Sequence, residues 1–213
     1  MKTYVAKLHG VKTMIHLLLI GFLSLVLFSC EKENMNQEQE SDVLALKAEK
    51  PDKNNAAPAP GDYTITELAI ANSDRFSELV NALLYVDKEL DAGLVDLFNS
   101  EDDDFTVFAP NNEAFGRLYE TLGVDDITDL DPQLVADVLY YHVTNGRRAA
   151  NSVVPPNSKN TKSIQTLLGE KFMVTSDAQI IAIGNTAGIL DPNISASNGI
   201  IHEISEVLLP ISL

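Results

Sequence analysis

Two histidines stand in the last two-thirds of the chain, His142 and His202, and the residue types from which sites are built lie around them. Ser195 and Ser197 come shortly before His202. A Ser-His-Asp triad is defined by geometry, however, and the sequence holds no Gly-x-Ser-x-Gly elbow. A zinc site needs about four nitrogen, sulfur or carboxylate ligands, and the single thiol, Cys30, sits far away near the N-terminus. Glu101-Asp-Asp-Asp104 and the run from Asp125 to Asp131 could offer several carboxylates to Ca²⁺. They lack the glycine and closing glutamate of a calcium loop, and solvated acidic loops are the other reading. Arg147-Arg148 is the one basic pair among many acids. It could grip an anionic glycan or a carboxylate, or serve as a helix-end charge. There is no phosphate loop and no Gly-x-Gly-x-x-Gly. A lone histidine on an apolar stripe is more often a hydrogen-bonded core residue than a ligand. The set points to binding rather than catalysis, with no cofactor and no metal expected.

Charge narrows the partners. The net charge is −16, and from Gly61 onward 24 acidic residues face 8 basic ones, which accounts for all of it. Such a surface disfavours nucleic acid and anionic lipid. One cysteine excludes an intramolecular disulfide. At ~150 residues, a single domain from Gly61 onward buries enough surface to do without a staple.

Residues 1–60 read as address and tether. Lys2, Lys7 and Lys12 precede the 12-residue apolar run Leu17–Phe28. That run is too short to span a hydrocarbon core, which takes about 20 residues, and fits the core of a signal peptide. It closes on Leu27-Phe-Ser-Cys30, which resembles a bacterial lipobox. The resemblance implies cleavage after residue 29 and acylation of the Cys30 thiol, so that the protein's first partner is a membrane reached through an N-terminal lipid. Residues 30–60 follow, a polar stretch and then Pro51 and Ala56-Ala-Pro-Ala-Pro60, expected to be a disordered spacer.

The elements that must hold the histidines read as follows. Ser73 is expected to cap a helix whose stripe is Phe76, Leu79, Val80, Leu83 and Leu84. Leu94–Phe98 is a second short apolar piece. Phe105–Pro110 reads as a strand stopped by proline, and Asn111 caps the next helix, with Phe115, Leu118 and Leu122 on one side. Asp131-Pro132 opens a helix that carries His142 and ends at Asn145-Gly146. Strands are expected at Ser152–Val154, Ile164–Leu168, Lys171–Thr175 and Gln179–Ile183. Asn198-Gly199 reads as a turn tolerant of positive φ, and a long final strand runs to Pro210 with Ile200, His202 and Ile204 on one face. Strands after helices without βαβ alternation indicate α+β.

Three segments resemble the fasciclin (FAS1) domain. Phe105-Thr-Val-Phe-Ala-Pro-Asn-Asn-Glu-Ala-Phe115 resembles its first signature, with Phe105, Thr106, Phe108, Ala109, Pro110, Asn111 and Phe115 at the motif positions. Asn111 stands where many members have Thr. Ser195–Ile204 with Val207-Leu-Leu-Pro210 resembles the second, through Ser197, Asn198, Gly199, His202, Leu208 and Pro210. Tyr141-His142 matches the tyrosine-histidine motif between them. The resemblance implies an α+β FAS1 fold, a twisted β-wedge or sandwich with helices packed at one end, over residues 61–213. It implies a structural role for these positions and an adhesive one for Tyr141 and His142. Together with the lipobox it implies a cell-envelope lipoprotein, at the outer membrane or cell surface. Such a protein would serve cell adhesion or bind extracellular protein or polysaccharide. The other reading is a non-catalytic lipoprotein that takes a polysaccharide or small ligand near Tyr141, Arg147 and Arg148.

Overall fold

The computed structural model describes residues 57–157 and 159–212. The expected signal segment, Cys30 and most of the expected spacer lie outside the described residues. The first described residues already touch the fold: Pro58 and Ala59 accept hydrogen bonds from Arg147 and Ser195, and Gly61 N–H donates to Ala196 O.

Helices come first. α1 (Ile65–Ala71) is started by a capping box in which the Thr64 hydroxyl accepts from Glu67 N–H while the Glu67 carboxylate accepts from Thr64 N–H. α2 (Ser73–Leu90) begins one residue before the sequence suggests. Asn72 occupies the cap position and Ser73 is already helical. α3 (Leu94–Asn99) starts behind Gly93, which has no side chain to cap it. Asp87 of α2 supplies the acceptor instead, taking the N–H groups of Leu94 and Val95 at 2.7 and 2.9 Å. α4 (Asn112–Leu122) is capped by Asn111, whose side-chain oxygen accepts from Ala114 N–H at 3.0 Å. A 3-10 turn at Ile127–Asp129 leads to α5 (Pro132–Tyr141), capped by Asp131 with proline at its first position.

Seven strands form one sheet. β1 is Phe105–Pro110, β2 Val143–Asn145, β3 Thr161–Gln165, β4 Lys171–Thr175, β5 Gln179–Ile181, β6 Thr186–Ala196 and β7 Gly199–Ile204. Their order across the sheet is β2-β1-β7-β6-β5-β4-β3, and only β1 and β7 run parallel. The 11-residue β6 pairs with β5 through Thr186–Gly188 and with β7 through Ile189–Ala196, so it carries the chain from one half of the sheet to the other. Its register slips between Asp191 and Ile194, where Asn193 takes φ +68°. The result is the α+β wedge, open rather than closed into a barrel.

β1 and β7 are buried along their whole length. Phe105, Val107, Ala109 and Ile201 face a core shared with α1–α5, while Phe108 and Ile204 face a second core with Ile164, Phe172, Val174 and Ile180. Alternate residues of the same strands therefore serve two cores.

The strand expected at Ile164–Leu168 is instead Thr161–Gln165, with Leu167-Leu168 in a turn, and four further expectations are corrected. Ser152–Val154 is not a strand: Ala150–Val153 forms one helical turn, α6. α5 ends at Tyr141, and β2 intervenes before Gly146, whose left-handed φ of +83° turns the chain after that strand. The last strand ends at Ile204, and Val207-Leu-Leu209 is buried without belonging to the sheet. Gly199 has no positive φ. A Cβ there would overlap the carbonyl oxygen of Phe105 and crowd Ile65, so glycine is needed for close approach.

Gly199→Ala is expected to lose at least ~2 kcal/mol of stability in urea denaturation, as strain in a packed core does. Gly116, exposed in α4 with open space around it, is the control: Gly116→Ala should gain about 0.5–1 kcal/mol.

Candidate functional site

The residues singled out in the sequence fall along β7 and just beyond it. His202 is fully buried beside the Phe108 ring, 5.4 Å between centroids. Its Nε2–H donates to Arg148 O at 2.9 Å and its Nδ1 accepts from Asn193 N–H at 3.2 Å. The β6 bulge exists to deliver that N–H, and the Asn193 side chain accepts from Ala150 N–H at 2.8 Å, starting α6. His142 has the opposite tautomer. Its Nδ1–H donates to Val138 O at 2.6 Å and its Nε2 accepts from Leu208 N–H at 2.8 Å, which holds the segment after β7. Each ring is neutral and spent at both nitrogens. Burial pushes both imidazoles down to about 4.

Tyr141 is also wholly buried. Its hydroxyl donates to Lys171 O at 3.0 Å and accepts from Ile183 N–H at 3.3 Å, and its ring stands edge-on to Phe172. Tyr141 and His142 are thus brought together inside the domain. Arg147 lies elsewhere, at the start of β7. Its guanidinium donates to the carbonyls of Ala196, Gly199 and Pro58 and to the Ser195 hydroxyl. Arg148 is half-buried, with Nε on Asn145 O. Neither Ser195 nor Ser197 hydrogen-bonds to His202.

The second signature reads as a clamp. Asn198 is buried, accepts from Ile65 N–H at 2.9 Å and donates to Phe98 O and Ser100 O, so one amide ties the start of α1 to the end of α3. Ser197 N–H donates to Tyr63 O at 2.7 Å, while its Oγ is buried with no partner among the described residues. In the first signature Thr106 donates to Gly146 O and accepts from Arg148 N–H. Pro110 closes β1, and Phe115 and Leu208 are buried. Sequence reasoning missed the polar node beside them: Glu203, nearly buried, pairs with Arg75, which also reaches Asp191 at 2.8 Å, and accepts from Asn111 Nδ2 at 2.9 Å. The alternation of apolar residues in β7 marked Glu203 as an outlier and was the available signal.

In the second acidic run the carboxylates cap their own backbone, and in the first Asp102 bonds with Ser100. Asp126 caps the 3-10 turn and Asp129 accepts from Asp125 N–H. Among the described residues no three His, Cys, Asp or Glu side chains are grouped to hold a metal. The concave features among the described residues include an apolar cavity of about 120 Å³ between α4 and α5.

The fasciclin domain model matches residues 74–210, which contain both signatures and the tyrosine-histidine pair. The chain belongs to the fasciclin family. Relatives include the Synechocystis protein sll1483, 31% identical over 69% of this chain and 73% of its own, and the immunogenic protein MPB70 of Mycobacterium bovis, 30% identical over 73% and 68%. A part of the pig transforming growth factor-beta-induced protein ig-h3 is 32% identical over 52% of this chain and 15% of that one. Among solved structures, the FAS1 domain pair of the insect cell adhesion molecule fasciclin I matches with a TM-score of 0.51 and 17% identity. That match covers 70% of this chain and about half, 51%, of the pair. Among the described residues no helix is long and apolar enough to cross a membrane.

The histidines of this fasciclin domain set its pH response. Both fold with values near 4, below the ordinary 6.5, so below pH 6.5 the unfolded chain takes up protons that the folded one refuses. Their contribution is therefore full above about pH 7 and is lost as pH falls from 6.5 towards 4. At pH 5 the loss should be roughly 2 kcal/mol per histidine, seen as a lower urea midpoint than at pH 7.5. His202→Gln should reduce the difference between the two pH values by about half.

Proposed function

We propose that this protein is a cell-envelope lipoprotein, acylated at Cys30, that presents one fasciclin domain to other cells or to extracellular protein or polysaccharide. The observation that carries the reading is the fasciclin domain spanning residues 74–210, set behind an N-terminus whose charges, apolar run and lone cysteine suit export and lipidation. The fold shared with an insect cell adhesion molecule supports the adhesive part. The domain acts by binding, not by turnover. Its two histidines are neutral and saturated by backbone groups, which leaves neither free as a general base.

The burial of Tyr141 and His142 supports a reading in which the adhesive contact is made by surface that these residues underlie rather than by their own side chains. The acidic exterior favours basic or neutral partners over anionic ones. Weak single contacts suffice when many copies sit on one membrane, because avidity multiplies them.

Two measurements check this reading. Fractionated cells should hold the protein in their membranes, and Cys30→Ser should release it into the soluble fraction. Beads coated with the protein should attach saturably to the producing cells or to their extracted matrix polymers, with attachment competed by free protein. Unchanged membrane retention in the serine variant would refute the anchor, and beads that attach to neither surface would refute the adhesin.

A further inference from the structure

We propose that the cavity between α4 and α5 takes the apolar tail of a small single-chain amphiphile whose head is uncharged or cationic. Its walls come from α2, α4, α5 and the segment after β7, and they are carbon throughout. His142 is part of the wall, but both its ring nitrogens are already bonded, so it asks nothing polar of an occupant. The volume of about 120 Å³ is close to that of apolar cavities of roughly 150 Å³ that stay dry and admit benzene, which corresponds to about six carbons.

The cavity does not stand alone. Leu118, Val207 and Leu209 also wall an adjoining open groove of about 630 Å³. The far side of that groove is polar, with Arg117, Glu120, Thr121, Asn185 and Glu206. A molecule with its tail in the cavity has its head there. Arg117 is held by Glu206 at 2.9 Å and faces Glu113 at 3.8 Å, and Glu120 adds a further negative charge. The groove is net acidic, so an anionic head meets repulsion while a sugar or an ammonium does not. Among the cavity-lining residues Ile211 is 46% exposed and Leu134 and Val138 are half-buried, apolar surface that an occupant would cover. A docked peptide helix would need a row of pockets at helical spacing, and a single pocket of six-carbon size offers one.

This inference is independent of the adhesive reading. The test is calorimetric titration of the full-length protein with hexyl glucoside, butyl glucoside, hexylammonium, hexanoate and glucose. Hexyl glucoside should bind saturably and butyl glucoside about fifteenfold more weakly, from two methylenes lost. Hexylammonium should bind, hexanoate severalfold more weakly than it, and glucose not at all. Val138→Phe fills the cavity and should abolish binding while moving the ligand-free melting temperature by no more than about 4 °C. If that variant does not fold, Leu134→Phe repeats the test from the neighbouring turn. In the unaltered protein the methyl resonances of Val138 and Leu134 should shift on titration, and those of Val153 and Val174 in the other core should not. No saturable binding of hexyl glucoside, equal binding of the butyl and hexyl compounds, undiminished binding of hexanoate, or binding that survives the filled cavity would each overturn the proposal.

Discussion

The parallel pairing of β1 with β7 is the constraint on which the rest of this fold depends. It joins Phe105–Pro110 to Gly199–Ile204 across nearly a hundred residues of sequence. Both strands are buried on both faces, so each supplies alternate residues to two cores. Two strands can lie this close only where no side chain intrudes, and Gly199 is the position that meets Phe105 O. The two family signatures are, in physical terms, the two sides of this one pairing.

Once the pair is set, its buried polar groups must be satisfied, and the signature residues do that work. Asn198 accepts a free N–H at the start of α1 and donates to the end of α3. His202 joins the β6 bulge to the carbonyl of Arg148, and His142 holds Leu208 where no strand continues. Arg147 gathers three carbonyls around the start of β7. These are hydrogen bonds to backbone, and removing one partner leaves a buried group unpaired, which costs more than the bond itself contributes. Residues that look like site chemistry in the sequence are therefore the fasteners of irregular segments. The cavity between α4 and α5 is lined by apolar side chains and by one histidine already bonded at both nitrogens.

Much of this was legible in the sequence, for reasons that differ by element. α4 and α5 carry strong local signals, a capping Asn or Asp and an apolar stripe, and the structure starts both where expected, although α5 ends at Tyr141, before Asn145-Gly146. β1 and β4 are short apolar runs bounded by turn residues, and they too are found. β6 was invisible because Asp191-Pro192-Asn193 interrupts it, and a bulge that serves His202 looks like a loop when read residue by residue. α1 was passed over although Thr64 and Glu67 spell a capping box, since seven residues give too little periodicity to notice. The stretch at Ser152 was misread because β-branched residues favour strands only when a neighbouring strand is there to pair. The position of Arg147 could not be foreseen: its four acceptors are distant in sequence, and only the fold collects them. The cavity escaped for the same reason, as Leu118 and Val138 each read as ordinary core stripe on separate helices.

The order of strands also fixes an order of events. The strand that joins β1 to β6, β7, follows every other described element in the chain, and Val207 and Leu208 after it add to both cores. A growing chain that has reached β6 can pair β3 to β6 among themselves, but β1 and β2 lack the strand that joins them to that half of the sheet. It must carry its apolar faces unsealed until residues 199–209 emerge, and long-range parallel pairing is slow to form even then. Closure of the sheet thus waits on its last strand, and until then the faces that β7 covers stay open to solvent.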